Sequence, residues 1–128
     1  MPGKLVLIVE DNERSLKLER DVLGLHGYRT LEARTGEEGV DLAFANTPDL
    51  ILMDIRLPGI NGDEALRRLR ADARTSGIPV IALTSSATSD DRERLRVAGF
   101  DGYLAKPMDL KEFLAEVAAR CGAPVAEA

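Results

Sequence analysis

What the chain has little of narrows its chemistry first. Its one cysteine, Cys121, cannot form an internal disulfide, which suits a reducing compartment and a packing role. Its one histidine, His26, falls at a helix end with no acid at catalytic spacing, so it reads as a capping or surface residue rather than a phosphate donor. Positive charge is not in excess: 17 Lys and Arg face 22 Asp and Glu, for a net −5. That balance argues against nucleic acid and anionic membrane as partners. Long apolar runs are missing too. The longest, Leu5–Val9, is far too short to span a bilayer, and nothing resembles a signal peptide. With 128 residues, one domain with a real core is expected over residues 1–122, followed by a flexible tail, "APVAEA", at 123–128. The expectation is a small, soluble, cytoplasmic protein whose output, if it stands alone, runs through protein contacts.

What is present alternates. Short runs rich in Val, Ile and Leu occur at 5–9, 50–53 and 80–83, as strands buried on both faces require. Residues 28–33 alternate in the manner of a half-exposed edge strand, and a brief fifth strand is expected at 103–105 after the Asp101-Gly102 turn. Charged stretches with helical spacing lie between and after them, at 12–26, 36–46, 63–73, 89–98 and 109–120. In the first of these, Leu18, Val22 and Leu25 form the expected core stripe, closed by Gly27. Leu16 and Leu23 fall off that stripe, either partly buried or as a landing strip for a partner helix bundle. Ser89 and Asp109 are expected as N-caps. The order βαβαβαβαβα predicts an α/β fold: a parallel sheet with helices on both faces.

In such sheets ligands bind beyond the carboxyl ends of the strands. Glu10 and Asp11 follow the first strand, Asp54 the third, Thr84 and Ser85 the fourth, and Lys106 the fifth. Glu10, Asp11 and Asp54 against Lys106 leave a local charge of −2, which a divalent cation would cancel. The ligands are hard oxygens without His or Cys, so Mg²⁺ fits better than Zn²⁺. Beside such an ion Asp54 can attack a phosphoryl group and become an acyl phosphate, with Lys106 neutralising charge and Thr84 donating a hydrogen bond.

The segments "LIVEDN" (7–12), "DLILMDIRLPGINGDE" (49–64), "IPVIALTSS" (78–86) and "DGYLAKP" (101–107) resemble, in order and spacing, the CheY-like receiver domain of two-component response regulators. The resemblance implies a flavodoxin-like, doubly wound five-stranded parallel sheet of order 2-1-3-4-5 with five helices. By resemblance Asp54 is the phosphoacceptor for a histidine kinase or histidine phosphotransfer protein. Asp11 then binds Mg²⁺ directly, and the backbone carbonyl of Arg56 is a third protein ligand beside Asp54. Glu10 stands where many receivers have Asp, so its longer side chain is expected to reach the ion through water. Thr84 and Tyr103 are the implied switch residues, Lys106 precedes a cis proline, Pro107, and the helix 4–strand 5–helix 5 face carries the signal to a protein target. Arg56 beside the site either shields the acyl phosphate or holds one of its oxygens. The "VEDN" opening is shared with receivers of hybrid kinases and DivK-like cell-cycle regulators, which keeps a phosphorelay carrier or hybrid-kinase receiver in view as the alternative.

Other classes fit less well. An Mg²⁺-dependent aspartyl-phosphate phosphatase of the haloacid dehalogenase type needs a second acid two residues after its nucleophile, where this chain has Arg56. A flavodoxin-like FMN binder wants a glycine- and hydroxyl-rich loop after the first strand, and "EDNERS" would repel phosphate. A pseudo-receiver would have lost Asp54 or Lys106, and both are present. The arginines at 67, 68, 70, 74, 92, 94 and 96 are interleaved with acids and read as solvated helix faces, with docking to an acidic partner as the alternative.

Overall fold

Every strand-to-helix turn in this chain carries a capping side chain, and those turns converge on one end of the sheet. In the computed structural model, which describes residues 3–85 and 88–122, the chain forms β1 (Leu5–Val9), α1 (Glu13–Leu25), β2 (Arg29–Ala33), α2 (Gly36–Asn46) and β3 (Leu50–Asp54). It continues with α3 (Gly62–Ala71), β4 (Val80–Thr84), α4 (Ser89–Ala98), β5 (Gly102–Ala105) and α5 (Leu110–Cys121). The strands are all parallel in the order β2-β1-β3-β4-β5, the expected doubly wound arrangement. The expected tail at 123–128 lies outside the described residues. Among the described residues no helix is long and apolar enough to cross a membrane.

Strand residues alternate between two cores, as the pleat dictates. Leu7, Val9, Ile51, Met53, Val80 and Ala82 face α2, α3 and α4. Val6, Ile8, Leu50, Leu52, Ile81 and Leu83 face α1 and α5. The central strands β1, β3 and β4 are buried on both sides, which is why they read as continuous apolar runs. Strand β2 at the edge is only partly buried, in keeping with its alternating sequence.

Each helix starts on a side-chain cap. Asn12, Thr35, Asn61, Thr88 and Asp109 accept from the backbone N–H three residues on. Thr88, not Ser89, caps α4; Ser89 is already its first helical residue. Helix α3 ends at Ala71, so Ala73, inside the expected stretch 63–73, is not part of it and is exposed. His26 caps the C-terminus of α1, its Nδ1 3.0 Å from the Val22 carbonyl, and Gly27 follows at φ 90°.

The core stripe of α1 is the main correction. Leu16 and Leu23 are fully buried against Val6, Ile8 and Phe113, whereas Leu18 is 45% and Leu25 84% exposed. The pairs 16/23 and 18/25 share the same heptad spacing, so periodicity cannot separate them. Their phase is set by the turn at Asn12, whose carbonyl receives the Leu16 N–H and whose side chain receives that of Ser15. The position between Leu16 and Leu23 on the buried face is Glu19, and a charged residue there disguised the stripe. Leu16 therefore offers no landing strip.

Candidate functional site

Side-chain alternation decides which residues meet at the carboxyl end of the sheet. Glu10 continues the Val6–Ile8 side of β1, Asp54 the Leu50–Leu52 side of β3, and Lys106 the Leu104 side of β5. All three thus emerge on the side of α1 and α5. Thr84 continues the Val80–Ala82 side of β4 and lies on the side of α4 together with Tyr103, which is half-buried against that core. Backbone pairing runs past the strand ends: the Glu10 N–H bonds the Ala33 carbonyl at 2.9 Å, and the Lys106 N–H bonds the Thr84 carbonyl at 2.7 Å.

The Lys106 ammonium is the hub. Its Nζ lies 2.8 and 2.9 Å from the two Glu10 oxygens and 2.8 Å from Asp54 Oδ2. The other Asp54 oxygen, Oδ1, accepts the Arg56 backbone N–H at 2.9 Å, so both acceptor oxygens are oriented. Glu10 is fully buried and Asp54 nearly so. The loop that follows is pinned against α2 and β3. Gly59 adopts φ +76°, the left-handed conformation a Pro-Gly turn requires. A side chain at Gly62 would come within 2.9 Å of the Asp54 carbonyl oxygen, so glycine lets α3 start directly against the strand end.

Two acids around one ammonium leave an uncompensated negative charge. Burial, joined by hydrogen-bonded Asp54, pushes the Glu10 carboxyl up to about 7 against the pull of Lys106. Burial acts upward on Asp54 as well, but hydrogen bonds with Glu10, Lys106 and the Arg56 N–H outweigh it and hold Asp54 below the usual carboxylate range. The same partners raise Lys106 despite its burial. Of the two acids, Asp54 is the one whose partners favour the ionised form.

Glu10, Asp11 and Asp54 each offer an oxygen, and these lie within 4.8 Å of one another. The set is all-oxygen, with excess negative charge, and matches a hard divalent cation. It lies in a cleft of about 400 Å³ that Arg56, Thr84 and Lys106 also line. The structure thereby brings together the expected residues Glu10, Asp11, Asp54, Arg56, Thr84 and Lys106. Tyr103 stands apart, under the guanidinium of Arg92 at 5.3 Å from its ring centroid. The Lys106–Pro107 peptide is cis, as the resemblance implied.

Several residues were read too blandly from the sequence. Arg67, Arg68 and Arg96 do pair with neighbouring acids on their own helices. Arg70, however, clamps three segments, Arg74 stacks on Phe44, and Arg94 reaches from α4 to Asp63 of α3 while lining the cleft. Glu19, buried below the site, was missed entirely. A helical wheel phased on Asn12 as cap would have found Glu19. Nothing local marks Arg94, because its partner is 31 residues away.

Residues 6–118 match the response regulator receiver domain family. The polar-differentiation response regulator DivK of Brucella ovis is 44% identical over 119 residues, covering 93% of this chain and 97% of that protein. The receiver domain of a sensor histidine kinase from Pseudomonas aeruginosa, solved with a magnesium ion coordinated in its active-site cleft, is 37% identical. It superposes with a TM-score of 0.87 over 94% of this chain and 98% of that one. Chemotaxis protein CheY4 of Vibrio cholerae shares the fold at 23% identity, with a TM-score of 0.86 over 92% of this chain and 98% of its own.

Proposed function

The chain belongs to the response regulator receiver domain family, and from that membership we propose that Asp54 accepts a phosphoryl group from a histidine kinase or histidine phosphotransfer protein. The carrying observation is the Lys106 ammonium held at 2.8 Å from Asp54 Oδ2 at the mouth of an acidic cleft. An Asp54 oxygen attacks phosphorus as the bond to the donor's imidazole nitrogen breaks. The electron pair returns to that nitrogen, and a ring protonated at its other nitrogen leaves as neutral imidazole. Asp54 needs no base, since its partners already keep it ionised. Lys106 stays within reach of the transferred oxygens, and Thr84 lines the same cleft as a donor to them.

Glu10, Asp11, Asp54 and the Arg56 carbonyl are the proposed holders of Mg²⁺. Bound there, the ion would neutralise charge on the equatorial phosphoryl oxygens. Glu10 reaches Lys106 with both oxygens, which favours a contact to the ion through water rather than a direct one. The protein is a signalling receiver that promotes its own phosphorylation and dephosphorylation. The receiver module is proposed to span residues 1–122, a length that accords with the 97% of the Brucella ovis DivK relative that is matched. Thr84 and Tyr103, on the side of α4, pass the change to a protein target at the α4–β5–α5 face. Onward relay of the phosphoryl group is the companion role consistent with the same chemistry.

Incubation with acetyl phosphate and Mg²⁺, followed by intact mass, tests this. One phosphoryl group should be gained by the wild type. None should be gained by Asp54→Asn, or by the wild type labelled in EDTA. Label persisting in Asp54→Asn would overturn the assignment.

A further inference from the structure

Two arginines line the cleft, Arg56 directly after Asp54 and Arg94 from the middle of α4. Among the described residues Arg94 is held by one contact, Nη1 to Asp63 Oδ2 at 3.2 Å. Bonds between guanidinium and carboxylate are usually about 2.7–2.9 Å and often doubled. Asp63 Oδ1 is buried yet accepts no hydrogen bond among the described residues, so the pairing leaves its partner half satisfied. Both side chains are about half exposed, at 51% and 43%, where single-point ion pairs are weak. A guanidinium has five N–H donors in a fork matched to carboxylate or phosphate. Arg94 is therefore a loosely tethered, under-used anion binder at the edge of a site that receives an anion.

The two residues also bridge particular elements. Asp63 sits in the first turn of α3, at the end of the loop leaving Asp54, and α4 follows the end of β4 where Thr84 stands. We propose that Arg94 is an anion-responsive latch between α3 and α4. In the unphosphorylated chain it bonds Asp63; a phosphoryl group on Asp54 draws it onto a phosphoryl oxygen and frees α4 from α3. The same guanidinium assists labelling by attracting the anionic donor. The latch rests on Asp54 being the phosphorylated residue.

The test is a double-substitution cycle read as the rate of labelling by acetyl phosphate in Mg²⁺. Asp63→Asn removes the competitor for Arg94 and should label roughly two- to fivefold faster, the scale of one exposed ion pair. Arg94→Gln should label slower by about the same factor. The double variant should match Arg94→Gln alone, because Asp63 acts only through Arg94. Arg94→Lys should restore part of the rate, and the gap between wild type and Arg94→Gln should narrow in high salt. Thermal melts establish that each variant is folded. Unchanged rates in either single variant overturn the latch and leave the receiver reading intact. So does acceleration by Asp63→Asn that survives in the Arg94→Gln background. A wild type that takes no label overturns both.

Discussion

Glu19 should make this protein lose stability as pH rises through neutrality, the reverse of ordinary acid denaturation. Glu19 is 2% exposed, and its Oε1 has no hydrogen-bond partner among the described residues. Burial pushes its carboxyl up to about 8, and the negative charge of Glu10 acts in the same direction. The folded chain thus keeps a proton that the unfolded chain has released, from the ordinary value of 4.5 up to about 8. Stability conferred by that proton is present below the unfolded value and is lost as pH rises through the folded one. At about 1.4 kcal/mol per pH unit, the whole interval sets a ceiling of about 5 kcal/mol, of which about 3 kcal/mol is gone by neutral pH. Glu19→Gln keeps the shape and cannot ionise. Urea denaturation of both proteins at several pH values isolates the effect, because the charges that act on Glu19, those of Glu10, Asp54 and Lys106, are common to both. The two should match near pH 5, and the variant should be more stable by about 3–5 kcal/mol above pH 8. A difference that stays constant with pH would refute the reasoning.

Two further predictions address parts of the fold that the sequence did not reveal. Arg70 donates to the Ser76 and Ile78 carbonyls at 3.1 and 2.7 Å and to Asp101 Oδ2 at 2.7 Å, tying α3 to the loops on either side of β4 and α4. Arg70→Met should cost about 1–3 kcal/mol in urea denaturation, and a change below about 0.5 kcal/mol would remove the clamp. Leu23→Ala should cost about 2–5 kcal/mol against less than about 1 kcal/mol for Leu18→Ala, and the reverse order would place the wrong face of α1 inward.

What could be read from the chain depended on whether neighbours in sequence or neighbours in space set the answer. The strands were legible because parallel central strands must be apolar on both faces, and the acids Glu10, Asp11 and Asp54 stood out where those runs stop. Their convergence with Lys106 followed from topology alone, and the structure places all four around one cleft. Legibility failed where two solutions were locally equivalent. Leu16/Leu23 and Leu18/Leu25 have identical spacing, and the choice between them rests on the cap at Asn12 and on packing against the sheet. It failed as well for arginines whose partners are distant in sequence. Arg70 and Asp101, like Arg94 and Asp63, are 31 residues apart, so each looked like one more charge on a wet helix.

The alternation of strand faces also constrains how the proposed phosphoryl charge at Asp54 could reach the proposed output side. Asp54 and its partners Glu10 and Lys106 emerge toward α1 and α5, whereas Thr84 and Tyr103 lie toward α4. Between those layers run Leu52, Met53, Ile81 and Ala82, all fully buried. A close-packed interior of this kind does not shift by small degrees. A change in charge at Asp54 must therefore pass around the end of the sheet rather than through it. Two groups sit at that end and reach toward α4: Thr84 on the last residue of β4, and Arg94 on α4 itself. Tyr103 lies one step further, its ring covered by Arg92 from the same helix. Because α4 carries both arginines, the proposed release of Arg94 from Asp63 and the contact of Arg92 with Tyr103 are coupled through one helix.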